Sequence, residues 1–193
     1  LHTNIAKNYY KVERNELAKI IGNILFILSI TLMIYFLLTF GIYTQFDTVF
    51  SIHTELLLIV PFIAFMQMIN NLNTTILRNE QRAYMFGAFE VSLTVVVMAV
   101  TILSLIVLGF GWYSQVVGIF VAGVVFSIVG FIYMSKRGYI ILSFDKAKIK
   151  SILNISVTLI PHVLGGLVIT ASDRLFIEHM VSLEAVGLYV VGY

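Results

Sequence analysis

Five long apolar runs, separated by short polar connections, dominate the pattern of this chain. A helix rises 1.5 Å per residue, so crossing a hydrocarbon layer of roughly 30 Å takes about 20 mostly apolar residues. Ile20–Tyr43, Glu55–Leu77, Tyr84–Phe110, Trp112–Ser135 and Ile152–Ser172 reach that length, and a sixth apolar helix opens near Ala185. Each run includes some Thr, Ser, Asn or Gly, which spanning helices tolerate because the backbone satisfies itself. Pro61 and Pro161 fall inside runs and predict local kinks supported by neighbouring helices.

The connections alternate in charge. The N-terminal stretch carries Lys7, Lys11, Arg14 and Lys19, whereas Thr44–Thr54 has neither Lys nor Arg. Arg78 and Arg82 follow the second run, Gly111 and its neighbours are uncharged, and Lys136–Lys150 holds Lys136, Arg137, Lys146, Lys148 and Lys150. Basic connections stay cytoplasmic, so the residue 1 side and the loops near Arg78 and Lys136–Lys150 are expected inside. Composition agrees: 60% of residues are hydrophobic and 11% charged, against roughly 25% charged in a soluble domain. The expected fold is an all-α, polytopic transmembrane helix bundle. There is no Cys, which removes disulfides, thiol metal sites and thiol catalysis. The chain opens on Leu1 and stops within an apolar pattern, so it reads as an internal piece of a longer protein.

Polar positions inside the runs are the candidate chemistry. Gln67, Asn70, Asn71 and Thr74 recur at helical spacing, and Arg78 extends that face. Amides are costly against lipid, so the stripe faces either neighbouring helices, through hydrogen bonds, or a hydrated cavity. Glu90, with Thr94, Thr101 and Ser104 roughly along its face, is either a membrane-buried carboxylate suited to ion or proton coupling or an interfacial partner of Arg82. In the fourth run Gly118 and Ala122, then Gly123, Ser127 and Gly130, are small residues spaced for close helix packing. The fifth run places Asn154, Thr158, Pro161, His162 and Gly165 on a helical arc, with Gly165-Gly166 as a weak point. His162 is a ligand contact or an interhelical hydrogen-bonding group. Asp173-Arg174 then lies near the far interface, or inside the bilayer if the helix begins later. The Lys136–Lys150 segment, with its polar run Ser143-Phe144-Asp145-Lys146-Ala147-Lys148, is an ordinary basic loop or a boundary between two bundles. No phosphate loop, metal-binding spacing, catalytic triad or nucleic-acid-binding surface appears. The chain is not expected to be an enzyme or to need a cofactor.

Several strings resemble a known family. Leu77-Arg78-Asn79-Glu80-Gln81-Arg82-Ala83 looks like the cytoplasmic loop of polysaccharide biosynthesis transporters, the Wzx-type O-antigen repeat-unit flippases. Leu159-Ile160-Pro161, Ser172-Asp173-Arg174 with Phe176-Ile177, and Val186-Gly187-Leu188-Tyr189 follow in the family's order. The resemblance implies a member of the multidrug/oligosaccharidyl-lipid/polysaccharide exporter superfamily, two-lobed like multidrug and toxin extrusion carriers, in a bacterial or archaeal cytoplasmic (inner) membrane. Residues 1–135 would then belong to the first lobe, 136–151 to the interlobe linker and 152–193 to the start of the second lobe. The implied substrate is undecaprenyl-diphosphate-linked oligosaccharide, flipped to the outer leaflet by alternating access. Membrane lipid and other polysaccharide-assembly membrane proteins would be its partners. Gln67, Asn70, Asn71 and Thr74 would meet sugar hydroxyls, and Arg78 and Arg174 the diphosphate. The alternatives are a drug or cation exporter or a peptidoglycan-precursor flippase of the same superfamily, and a membrane-embedded glycan polymerase or ligase.

Overall fold

The computed structural model describes residues 5, 9–10, 12–44, 48–49 and 52–192. Its long helices are α1 (Arg14–Tyr43), α2 (Thr54–Asn79), α3 (Ala83–Val107), α4 (Tyr113–Lys136) and α5 (Lys146–Met180), followed by the short α6 (Leu183–Gly192). All five long helices are apolar enough to cross a membrane. A two-residue antiparallel ribbon, β1 (Thr48–Val49) with β2 (Ile52–His53), lies in the α1–α2 connection and is the one extended element among the described residues.

Three boundaries differ from the apolar pattern. Helix α1 begins at Arg14 rather than Ile20, because hydrogen bonding continues through residues that hydropathy excludes. Helix α5 begins at Lys146 rather than Ile152, so the expected 136–151 linker is helical over its last third. Its start has a local cause: the Asp145 carboxylate accepts the backbone N–H groups of Ala147 at 3.0 Å and Lys148 at 3.3 Å, an N-cap. The same helix runs on to Met180, so Asp173 and Arg174 lie within it and not in a connection. Both prolines sit inside continuous helices, Pro61 in α2 and Pro161 in α5.

The chain divides into two compact units, Leu1–Ile149 and Lys150–Tyr193. In the first, α2 packs on α1, α3 and α4. Three glycines of α4 make close contacts. Gly118 meets the Thr101 side chain and the Val97 carbonyl of α3, while Gly130 lies against the Asn73 side chain and Gly123 against Met66, both on α2. Tight approach replaces apolar burial as the source of packing here, since lipid is as apolar as a core.

The segment after α4 does not hang free. Ile141 N–H donates to the Ala18 carbonyl at 3.2 Å, Asp145 N–H donates to Asn23 Oδ1 at 3.3 Å, and Phe144 meets Phe26 edge to face at 5.3 Å. Lys148 pairs with Glu16. Residues 139–145 therefore form a strap along the first turns of α1.

In the second unit α5 turns into α6 at Val181-Ser182, where the Ser182 hydroxyl caps α6 by accepting Ala185 N–H at 3.1 Å. From Ser151 to Ser172 the helix has no Asp, Glu, Lys or Arg, a stretch of about 33 Å. That length matches a hydrocarbon core, with charge at both ends.

Candidate functional site

Helix α2 presents two polar sides. Asn70, Asn73 and Thr74 are buried, whereas Gln67, Asn71 and Arg78 are exposed, with Thr75 half-buried beside them. At 3.6 residues per turn Asn71 stands about 160° round the helix from Asn73. Asn73 faces α4 at Gly130. The α1-facing side of α2 is marked by an apolar cavity of about 210 Å³ between Leu28, Leu32, Pro61 and Met68. On the other flank Arg78 stacks on Phe86 of α3, 4.9 Å from the ring centre. Gln67, Asn71 and Arg78 thus mark an uncovered side of α2. Of the expected stripe, Asn70 and Thr74 turn into the bundle, and Thr74 bonds back to the Asn71 carbonyl at 3.3 Å.

Glu90 lies seven residues into α3, and Leu72 lies seven before the end of α2. The helices are joined by a three-residue turn, so Glu90 and Asn71 stand at comparable depth. The Glu90 side chain is half-buried and forms no ion pair with Arg82, whose partner is Glu80. Of the residues expected along its face, Thr101 packs on Gly118 and Ser104 is buried, which makes that side of α3 a packing face.

On α5, Asn154, Thr158 and His162 are exposed on one face. Asn154 and Thr158 border a cavity of about 410 Å³ with Ile155 and Leu159. Asp173 and Arg174 form no ion pair with each other, because neighbours on a helix point about 100° apart. Asp173 instead accepts the Tyr189 hydroxyl of α6 at 3.4 Å, and Arg174 borders a cavity of about 380 Å³ with Leu167, Thr170 and Leu175.

A second polar constellation sits at the basic end of the first unit, and sequence reasoning did not find it. Two helix ends build it in the same way. Arg82 N–H bonds to the Leu77 carbonyl and Gln81 N–H to that of Arg78, with Gln81 at φ 57°. Tyr139 N–H bonds to Met134 and Gly138 N–H to Ser135, with Gly138 at φ 70°. Both are Schellman closures. They bring Glu80 to Arg137 and Tyr139. The Glu80 carboxylate accepts the hydroxyls of Tyr139 at 2.6 Å and Tyr133 at 2.9 Å, and pairs with Arg82 at 3.0 Å and Arg137 at 4.0 Å. Arg14 donates to the Arg137 carbonyl at 2.5 Å and stacks on Tyr139. Tyr9 and Tyr139 hydroxyls meet at 3.3 Å, and Tyr10 donates to the Asn79 carbonyl.

Burial pushes the Glu80 carboxyl up, but the Tyr139 and Tyr133 hydroxyls and the charges of Arg82 and Arg137 outweigh it and hold the group below its ordinary value. Burial, then donation to Glu80, pushes the Tyr139 hydroxyl well above the usual phenol range, so it remains a donor. These contacts place Tyr9, Tyr10 and Arg14, the α2–α3 turn and the start of the α4–α5 connection at one end of the bundle, in agreement with the charge alternation; Lys7 and Lys11 lie outside the described residues.

Five apolar helices of spanning length define the class: this is a multi-pass helical membrane protein. The profile of a family described as polysaccharide biosynthesis protein matches residues 3–193, and the chain belongs to that family. No curated protein and no solved structure matches it.

Proposed function

We propose that this chain works in a carrier that moves lipid-linked oligosaccharide repeat units from the cytoplasmic to the outer leaflet by alternating access, with no covalent step. The observation that carries the reading is the exposed side of α2 formed by Gln67, Asn71 and Arg78. Amides left open on a spanning helix are costly in lipid and suit a wet path. Their donors and acceptors match sugar hydroxyls, and Arg78, at the basic end, suits a diphosphate entering from the cytoplasmic side. Undecaprenyl-diphosphate-linked oligosaccharide combines both chemistries. The basic end is cytoplasmic in this reading, and the family makes polysaccharide the relevant product.

These 193 residues contain no Cys, so an introduced Cys is the one thiol within them. In the full protein in cells, Asn71→Cys is expected to react with a membrane-impermeant maleimide, while Val95→Cys, on an exposed apolar face of α3, stays unlabelled. Asn71→Trp, which obstructs the stripe, is expected to stop polymer export and to make lipid-linked saccharide accumulate on the cytoplasmic leaflet. An Asn71 as inaccessible as Val95, together with normal export in the Trp variant, would overturn the reading.

Glu90 adds a coupling role to this proposal. An ionisable side chain seven residues into a spanning helix is a functional candidate by its cost in lipid. Glu90→Gln is expected to abolish the dependence of transport on external pH, measured as initial flipping rate in reconstituted vesicles. An unchanged pH profile rules the role out.

A further inference from the structure

We propose that the first unit carries a built site for one anionic phospholipid, its phosphate held by Arg14, Arg82 and Arg137 and an acyl chain lying between α3 and α4. Two cavities, one polar and one apolar, are linked there through the Tyr133–Glu80 hydrogen bond. The polar one, of about 500 Å³, is bordered by the three arginines, Asn79, Glu80 and Tyr139 among others. Three guanidinium charges against one carboxylate leave a net charge of +2 around it. Glu80 engages Arg82 at 3.0 Å, while Arg137 stands off at 4.0 Å and Arg14 makes a single hydrogen bond among the described residues, to a carbonyl. A guanidinium has five N–H donors, so this cluster keeps donors in reserve for phosphate oxygens. Asn79 adds another: its Nδ2 is buried without an acceptor among the described residues, and Asn79 borders the same cavity.

The apolar cavity, of about 350 Å³, lies between Leu77, Met85, Phe89, Phe126 and Val129. Tyr133 joins the two, because its ring borders the groove and its hydroxyl donates to Glu80. The groove occupies the turns of α3 and α4 next to the basic end, which sets it directly below the level of lipid headgroups. Tyr84, 89% exposed, stands at its mouth. Asn73 borders the groove, on the side of α2 opposite the Asn71 stripe, so the site lies away from the saccharide path proposed above. A basic pocket over an apolar groove on spanning helices is the chemistry that retains an anionic lipid. The inference does not depend on the transport reading.

The test uses the full chain, purified and reconstituted in nanodiscs, with lipid retention read by native mass spectrometry and affinity by titration of short-chain lipids. Phosphatidylglycerol is expected to bind at least tenfold more tightly than phosphatidylcholine. Arg82→Gln and Arg137→Gln are each expected to weaken it about fivefold. Ala88→Trp fills the groove from an exposed position and leaves every arginine in place. It is expected to abolish phosphatidylglycerol preference, and it carries the test if an arginine variant fails to fold. Equal binding of the two lipids, wild-type affinity in Ala88→Trp, or preferential occupation by a polyprenyl diphosphate overturns the proposal.

Discussion

Gly22→Ala is expected to lower the melting temperature of the detergent-solubilised protein by several degrees, while Gly41→Ala, on the same helix, leaves it unchanged or raises it. A Cβ at Gly22 would lie 2.0 Å from the Ile141 carbonyl oxygen and 2.8 Å from its carbon. These are main-chain atoms and cannot rotate aside, so the strap of residues 139–145 must move. That movement threatens the Ile141–Ala18 bond, the Asp145–Asn23 bond and the Phe26–Phe144 contact together. Overpacking of this kind costs about 1–3 kcal/mol. At Gly41 no described residue beyond its own helix lies within 4 Å, and alanine gains up to about 1 kcal/mol of helix propensity. The pair separates close approach from propensity. Equal melting in both variants would mean that the strap is not seated on α1.

The spans were legible because length and apolarity are local properties, and the charge alternation fixed which connections share an end. Helix limits were less legible, since hydropathy stops at charge and hydrogen bonding does not. Lys146–Lys150 and Asp173–His179 are charged yet helical for that reason. The Asp145 cap was a readable signal within a run taken as loop. The stripe on α2 was half legible. Periodicity finds a polar side, but neighbours decide which part of it is covered, so Asn70 and Thr74 are buried while Gln67 and Asn71 stay open. Asn73 was missed because it lies opposite that stripe, and its meaning depends on Gly130, 57 positions later, leaving room for it. Glu80 was missed for a similar reason. Its partners Tyr133 and Tyr139 are 53 and 59 residues away. Charge alternation had already placed the α2–α3 turn beside the connection after α4, and a carboxylate in a turn flanked by arginines was the available clue.

Glu80→Ala is expected to cost about 2–3 kcal/mol of stability. Breaking a buried ion pair by removing one partner costs about 3–5 kcal/mol. The Glu80 side chain is only 9% exposed, but Arg82 and Arg137 are 37% and 35% exposed, and water screens what they lose. Two tyrosine hydroxyls also lose their acceptor. Glu80→Gln keeps an acceptor for one of them and is expected to fall between the wild type and alanine. The pH dependence carries a definite sign. Because the folded state holds the Glu80 pKa below its unfolded value, its contribution is complete above the unfolded pKa. It is lost as pH falls through that value and then through the lower folded one. Wild-type melting temperature should therefore drop relative to Glu80→Gln below about pH 4.3, the ordinary glutamate range, and the two curves should converge in acid. A double-mutant cycle with Tyr139→Phe isolates the hydroxyl contribution, which is non-zero if the 2.6 Å bond forms in solution. Parallel melting curves across the whole acid range, with additive mutants, would show that Glu80 does not hold the α2–α3 turn to the end of α4.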